Sequence, residues 1–198
     1  MTDFTAVRAA SLTLRGVLKA AITDSTDPQL TGLLIDLRSP HELRDNNVSA
    51  VSLWLFHVRR CGDLYNTEPR RPTPDQLPRR PVPLELGYLV TPMFPDADLR
   101  QVVLGRVIET FNDHSTIQGA ELLDTLLGTN ERLYVHLDAG APSDVFQIWQ
   151  ALHLPYQTCL PYLVEHVTIE SGRPAVQVAP VLDRETRYTQ VVAARPGP

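Results

Sequence analysis

The sequence predicts an α+β protein in which one mixed, mainly antiparallel sheet packs against about three helices. Three segments carry apolar residues at helical spacing, and several apolar strand-like runs lie between them. Two of the strongest strand-like runs flank a long loop, so we expect them to pair. The order of elements is helix, strands, helix, strand, helix, strands, and this order favours a single sheet with helices on it.

The first helix is predicted from Phe4 to Ile22. Its apolar residues repeat at spacings of three, four or seven and so share one face: Phe4, Val7, Leu14, Leu18 and Ile22. Asp24, Asp27 and Pro28 follow and are expected to end the helix.

Three strands are predicted next: a short one over Gly32–Leu37, a strong one over Val48–Val58, and a second strong one over Leu84–Thr91. On the second strand, one face would carry Val51, Leu53 and Leu55, and the other Trp54, Phe56 and Val58. Both faces are apolar, so we expect a central strand covered on both sides, with Leu84–Thr91 as its return partner.

The stretch Gly62–Pro83 separates these strands and carries six prolines and two Arg-Arg pairs. Proline fixes φ and removes a backbone donor, so the stretch is expected to be an extended, partly polyproline-like loop. We expect residues 1–198 to form a single domain with this Pro/Arg-rich loop at 62–83. A short flexible tail is expected from about residue 194.

The second half is predicted to hold two more helices. One begins at Asp96 or Asp98 and runs to about Asn112, and the other begins at an N-cap, Ser143, and runs to about His153. Ile117–Leu127 is a further element whose type the sequence does not fix, with breaks at Gly119 and Gly128. Further strands are predicted at Leu133–Leu137, Tyr162–Ile169, Val176–Val181 and Arg187–Ala193, the last two as candidate free sheet edges.

Composition narrows the classes of function. A net charge of −5 and a pI near 5.6 argue against a general nucleic-acid binder, and no apolar run is long enough to span a membrane. Met1–Ile22 has charges that break any signal-peptide pattern. Cys61 and Cys159 are too few for a disulfide framework or a structural zinc site, so we expect reduced, buried thiols in a cytoplasmic protein.

No catalytic site is predicted. The sequence lacks a glycine-rich phosphate loop, a dinucleotide fingerprint and a nucleophile elbow. Asp113-His114 fits a helix end better than a base and its orienting group. His57, His136 and His166 would approach a metal only if their strands were neighbours with matching faces, which the sequence does not fix. We therefore expect no enzyme, no cofactor and no metal.

The arginines of the loop, Arg70, Arg71, Arg79 and Arg80, are candidates for partner binding. Guanidinium groups bind carboxylates in a bidentate manner, and prolines limit the entropy lost when a loop becomes ordered. The alternatives are a solvated loop without a partner or, less favoured, single-stranded nucleic acid, for which Tyr65 is the one aromatic residue nearby.

Four blocks in order carry a resemblance to a known family: VSLWLFHV at Val51–Val58 followed by the Pro/Arg-rich loop, PLELGYLVTP at 83–92, LGR at 104–106 leading into NDHSTIQG, and IWQALHLPYQTCLPY at 148–162. Together these blocks resemble the N-terminal domain family of cap, or tail-terminator, proteins of extracellular contractile injection systems, of the antifeeding prophage and Photorhabdus virulence cassette type. The resemblance covers about Phe4 to Val181.

The resemblance implies a tail-terminator-like α/β fold and a structural role. Family members are expected to form a ring, a hexamer, at the distal end of the inner tube and contractile sheath, and to stop polymerisation. They carry no known catalytic residue or cofactor. The implied partners are further copies of the chain, sheath subunits and tube subunits, with no nucleic acid and no membrane insertion. Any larger C-terminal region of some relatives would be absent here.

Strand exchange between sheath subunits suggests that a cap accepts a strand at a free sheet edge, where Tyr188 and Val191 are candidate contacts. The expected location is the bacterial cytoplasm during assembly and the particle afterwards. An alternative function is an adaptor or cargo-loading module of the same particle.

Overall fold

The computed structural model describes residues 3–62, 76–77, 79–138, 142–174 and 176–177. Its helices are α1 (Ala6–Leu18), α2 (Pro40–Asp45), α3 (Ala97–Asp113) and α4 (Pro142–Ala151). Its strands are β1 (Ile35–Asp36), β2 (Val51–Arg60), β3 (Gln76–Leu77), β4 (Val82–Pro92), β5 (Thr116–Gln118), β6 (Arg132–Leu137), β7 (Leu160–Ile169) and β8 (Val176–Gln177).

Six strands form one sheet in the order β1-β2-β4-β7-β6-β5. Only β1 and β2 run parallel, and every other neighbouring pair in this sheet is antiparallel. The prediction of a mixed, mainly antiparallel α+β fold is therefore confirmed, including the pairing of β2 with β4 across the long loop. β4 is the central strand with two long neighbours, whereas β2 lies one place from the sheet edge.

Helix α2 was missed by the sequence analysis because six residues are too few to show a helical period. Its capping is nevertheless complete. The Glu42 N–H donates to Ser39 Oγ at 3.2 Å, and the Ser39 N–H donates to Glu42 Oε2 at 2.9 Å. Pro40 occupies the first helical turn, so Ser39-Pro40 marks the start of this helix.

One face of the sheet is covered by α1 and α3 and holds the main core. Leu14 on α1, Phe111 on α3 and Leu86 on β4 belong to a single cluster that spans five of the six strands. Tyr88 is fully buried in this cluster, where its hydroxyl lies 2.7 Å from Ser11 Oγ. The burial of this aromatic and aliphatic surface is the main stabilising contribution to the fold.

The opposite face is covered by α4 and holds a smaller core. Leu89, Trp149 and Cys159 are buried there, and Trp54 and Phe56 pack against them. The Trp149 Nε1–H donates to Cys159 Sγ at 3.3 Å. Burial raises the pKa of the Cys159 thiol, so it stays protonated near neutral pH.

Helix α1 differs from its predicted limits. The α-helix begins at Ala6, and Lys19–Thr23 continues it as a π-helical turn. Phe4 was predicted on the buried face but is 83% exposed, because it precedes the helix. Leu14, Leu18 and Ile22 are buried as predicted.

A β-bulge changes the predicted faces of β2. Leu55 lies opposite Tyr88 while His57 lies opposite Gly87, so Phe56 is an extra residue. Beyond the bulge, Val58 pairs with Leu86 and therefore lies on the α1–α3 face. Simple alternation along the strand predicted the opposite face, the one that carries Trp54. A Cβ on Gly87 would approach Phe56 Cζ to 3.2 Å, which explains glycine at this position.

A second bulge lies between β4 and β7. Leu84 pairs with Val167 and Leu86 with Val164, so Glu165 and His166 together face one residue of β4. His166 has φ of 66°, a left-handed conformation that histidine adopts more readily than most residues.

The remaining boundaries differ modestly from expectation. Helix α4 begins at Pro142, so Ser143 lies inside the first turn and is not its N-cap. The predicted element at Ile117–Leu127 consists of most of β5 followed by two short 3-10 turns, Gly119–Glu121 and Asp124–Leu126. The Pro/Arg-rich loop was expected to hold no strand, yet Gln76–Leu77 forms β3 between two of its prolines. Cys61 and Cys159 are both free and buried.

Candidate functional site

The loop arginines are the first predicted contact residues. Arg79 and Arg80 are exposed and lie just before β4, with no hydrogen bond or ion pair to another described residue. Arg70 and Arg71 lie outside the described residues. Two guanidinium groups are thus presented at the end of the central strand, and each retains its five N–H donors for an acidic partner.

The predicted edge strands are placed differently by the structure. Tyr188 and Val191 lie outside the described residues. Val176–Gln177 was predicted as part of a free edge, but it pairs antiparallel with Gln76–Leu77 in a separate two-stranded sheet. The prediction of a strand at Val176 is confirmed. In the described part of the chain this strand pairs with β3 alone, so it lies at an edge of the two-stranded sheet, and its role as an acceptor of another strand stays a prediction.

The structure reveals an open edge on β2 that was not predicted from the sequence. β1 pairs only with Val51 and Ser52, although β2 runs on along β4 to Arg60. In the described part of the chain, residues 53–59 of β2 therefore border no strand on their outer side. Apolar residues on both faces indicated that the faces of β2 are covered, but such a pattern carries no information about its edge.

An ion pair lies near the end of this open edge. Arg59 and Glu85 occupy paired positions on β2 and β4, and the Arg59 Nε–H donates to Glu85 Oε1. Glu85 is only 7% exposed, so the arginine compensates a largely buried carboxylate. Arg59 thus has a structural partner and differs in this respect from Arg79 and Arg80.

The histidines take structural positions. No group of three or more His, Cys, Asp or Glu side chains within the described ranges is arranged to hold a metal ion. The ring of His166 packs edge-on against Tyr134, with centroids 4.6 Å apart. His114 ends α3, and its Nδ1 lies 2.6 Å from Glu121 Oε1, which ties the helix end to the following turn.

None of the helices in the described ranges has the length and apolar character needed to cross a membrane. Within the described residues, the candidate site is a set of surfaces: a strand edge on β2 that borders no other strand, and two arginines before β4 that have no acidic partner. Both features suit contacts with other protein chains.

A family model described as the Pvc16 N-terminal domain matches residues 9–183. The chain belongs to this family. The match spans most of the chain and includes all the helices and strands described above except the first turn of α1, in agreement with the range over which the sequence resembles cap proteins.

Two cryo-EM structures share the fold of this Pvc16 N-terminal domain. One is the sheath/tube terminator of a PVC extracellular contractile injection system in its extended state, with a TM-score of 0.64 and 18% identity over 98% of this chain. The other is the tube-terminating cap of the anti-feeding prophage, with a TM-score of 0.60 and 18% identity over 90% of this chain. No curated protein matched the sequence significantly.

The chain spans 66% and 60% of the lengths of these two solved chains. At this level of identity the likeness shows a common fold. It confirms the tail-terminator-like fold expected from the sequence. The two solved chains are described as a sheath/tube terminator and a tube-terminating cap.

Proposed function

We propose that this protein forms a terminating ring, expected to be a hexamer, on the distal end of the inner tube and contractile sheath of a phage-tail-like injection particle. The observation that carries the proposal is a fold shared over 98% of the chain with a sheath/tube terminator, within a family matched over residues 9–183. The ring stops polymerisation and stabilises the extended sheath. The protein assembles in the bacterial cytoplasm and becomes part of the particle.

A ring terminator needs two kinds of contact. Head-to-tail contacts between copies close by rotation, and a second surface holds the last layer of tube or sheath. The open edge of β2 supports a role in one of these contacts, because an unpaired strand edge accepts a strand from another chain. Such an edge would otherwise be a hazard for unspecific association, so an assembled state that covers it is favoured.

The arginines before β4 support the other contact. Arg79 and Arg80 are exposed and have no acidic partner in the described part of the chain, so they are available to carboxylates of a tube or sheath subunit. We propose that Arg70 and Arg71 act with them in the same loop. Tyr188 and Val191 are retained as proposed contacts at a further strand.

The decisive experiment is electron microscopy of particles from cells with and without the gene. Overlong, frayed or unstable tubes and sheaths that lack end density would support the terminator. Particles of normal length with an intact end would refute it. If the protein is absent from finished particles, an adaptor or cargo-loading role becomes the better explanation.

Complementation with variants sharpens this experiment. We expect Arg79→Glu with Arg80→Glu to restore normal ends poorly, because the variant presents carboxylates to an acidic partner. Arg132→Glu on β6 is the matched control, since Arg132 is also exposed and has no ion pair to a described residue. Equal restoration by both variants would show that the arginines before β4 are not part of the contact.

A further inference from the structure

Two clefts meet at one end of the sheet, where they share Arg100 and Gln157. The first has a volume of about 400 Å³ and lies between the turn after α2 and the link from β4 to α3. The second has a volume of about 470 Å³ and lies between the start of α3 and the segment after α4. Their lining includes Arg44, Phe94, Arg100, Tyr156 and Gln157.

The lining of these clefts is positively charged. Arg44 and Arg100 both line the first cleft, and no described acidic side chain lines either one. Asp96 and Asp98 begin the same helix as Arg100 but lie outside the lining, and Asp96 is engaged as the cap of that helix. Neither arginine forms an ion pair with a described residue, so their charge is uncompensated within the described chain.

The guanidinium of Arg100 is held in place without being neutralised. Its Nη1–H donates to the Phe94 carbonyl at 3.1 Å, and the side chain is only partly exposed. A guanidinium has five N–H donors, so the others remain available to a ligand. A fixed, half-buried guanidinium loses little further entropy when it binds a carboxylate.

Gln157 adds an unsatisfied polar group between the clefts. Its Oε1 is buried and has no hydrogen-bond partner in the described structure. Buried amide groups are almost always paired, and an orphaned one at a cleft wall is a point where a ligand gains a hydrogen bond.

An exposed aromatic pair borders the second cleft. Phe146 is 48% exposed and Tyr156 51%, and their rings lie 4.8 Å apart. Tyr156 also packs against the buried Trp149 at 6.0 Å, so the pair is anchored to the core below α4. Aromatic residues beside arginine are the composition of protein-binding hot spots.

We infer that these joined clefts bind an acidic, extended segment of another protein chain. A carboxylate of that segment lies between Arg44 and Arg100, its backbone pairs with Gln157, and an adjacent apolar side chain covers Tyr156 and Phe146. Two arginines in a chain with a net charge of −5 are too few for a nucleic-acid groove. The inference concerns a surface separate from the β2 edge and does not depend on ring formation.

The test uses the full chain and a short labelled peptide in which two glutamates flank a leucine. A counterpart peptide carries glutamine in place of each glutamate. Binding is followed by fluorescence anisotropy and by NMR shifts of the tyrosine and glutamine side chains. We expect Arg100→Gln to weaken binding of the glutamate peptide by about tenfold, because a hydrogen bond to a charged group is lost. The same substitution should change binding of the glutamine peptide little.

Further variants separate binding from folding. Arg44→Gln changes an exposed residue and should weaken binding of the glutamate peptide while thermal stability stays the same. Arg132→Gln on β6 is the control and should change neither peptide binding nor thermal stability. Tyr156→Ala should weaken binding of both peptides alike, since it removes the apolar contact with the leucine that they share. Equal binding of the two peptides, shifts away from Tyr156 and Gln157, or tighter binding of an oligothymidylate would each overturn the inference.

Discussion

The two faces of the sheet are built very differently. The face under α1 and α3 carries a continuous core that extends from β2 to β5, with many fully buried side chains. The apolar cluster under α4 is smaller: Leu89, Trp149 and Cys159 are its buried members, and the other apolar residues packed against them are only partly buried. Stability should therefore depend mainly on the first face.

The difference suggests a division of roles. The α1–α3 face supplies the free energy that holds the sheet together, because buried apolar area dominates folding. The thinner α4 layer leaves Phe146 and Tyr156 half exposed beside the Arg100 cleft. A lightly buried layer opens more easily than a dense one, which suits a surface that adapts to a partner.

Leu86→Ala should give the largest loss of stability. Leu86 lies on the central strand and is fully buried in the α1–α3 core. We expect the free energy of unfolding to fall by about 2–5 kcal/mol, because the substitution removes apolar contacts and leaves a cavity. Urea denaturation would measure this loss. Leu137→Ala is the control, since Leu137 is 48% exposed and its loss should stay within about 0.5 kcal/mol.

Trp149→Phe should have a smaller effect that is confined to the other face. The substitution removes part of the indole volume and the Nε1–H bond to Cys159 Sγ, so we expect a loss of about 1–2 kcal/mol. Hydrogen exchange should become faster in α4 while amides of α1 keep their protection. Gln150→Ala, exposed on the same helix, is the control.

A different result would change the comparison between the faces. If Trp149→Phe accelerates exchange in α1 as much as in α4, the two layers unfold together and the α4 layer is no less stable than the other. In that case the aromatic pair of Phe146 and Tyr156 would rest on a rigid support, and adaptation to a partner would have to come from side chains alone.

Much of the core on the α1–α3 face could be predicted from the sequence. Apolar residues repeat at helical spacing at Leu14, Leu18 and Ile22, and apolar strand-like runs surround Leu53 and Leu86. These patterns predict which residues are buried, because the period of the apolar residues distinguishes a helix from a strand and identifies its buried face. The hairpin pairing followed from two strong strands flanking one loop. These predictions succeeded because each depends on local periodicity and on burial, which a single sequence records.

The surfaces proposed here for contacts with partners were largely not predicted from the sequence, for a physical reason. The open edge of β2 depends on the length of β1, which pairs only at Val51 and Ser52, and no residue of β2 records how far its neighbour extends. The Arg100 cleft joins residues that are far apart in sequence. The bulge at Phe56 likewise moved Val58 to the other face, because one extra residue resets the alternation.

Ser11 and Tyr88 form a buried hydroxyl pair in the core under α1 and α3. Ser11 Oγ lies 3.2 Å from the Val7 carbonyl, to which it can donate, and 2.7 Å from the Tyr88 hydroxyl. Burial raises the pKa of Tyr88, so the phenol stays neutral and is the natural donor to Ser11. Tyr88→Phe then removes one hydrogen bond and leaves Ser11 donating to Val7, at a cost of about 0.5–1.5 kcal/mol.

Ser11→Ala should cost more, about 1–2 kcal/mol, although alanine has the better helix propensity. It leaves the Tyr88 hydroxyl fully buried without its partner, and an unsatisfied donor is worse than an absent one. Urea denaturation of both variants and of the double variant measures the coupling. The double variant should be no less stable than Ser11→Ala alone. Without the serine, the buried phenol hydroxyl has lost its hydrogen-bond partner, so removing this hydroxyl costs no further stability. If instead the two losses add, Ser11 and Tyr88 contribute to stability independently and their hydroxyl groups are not coupled.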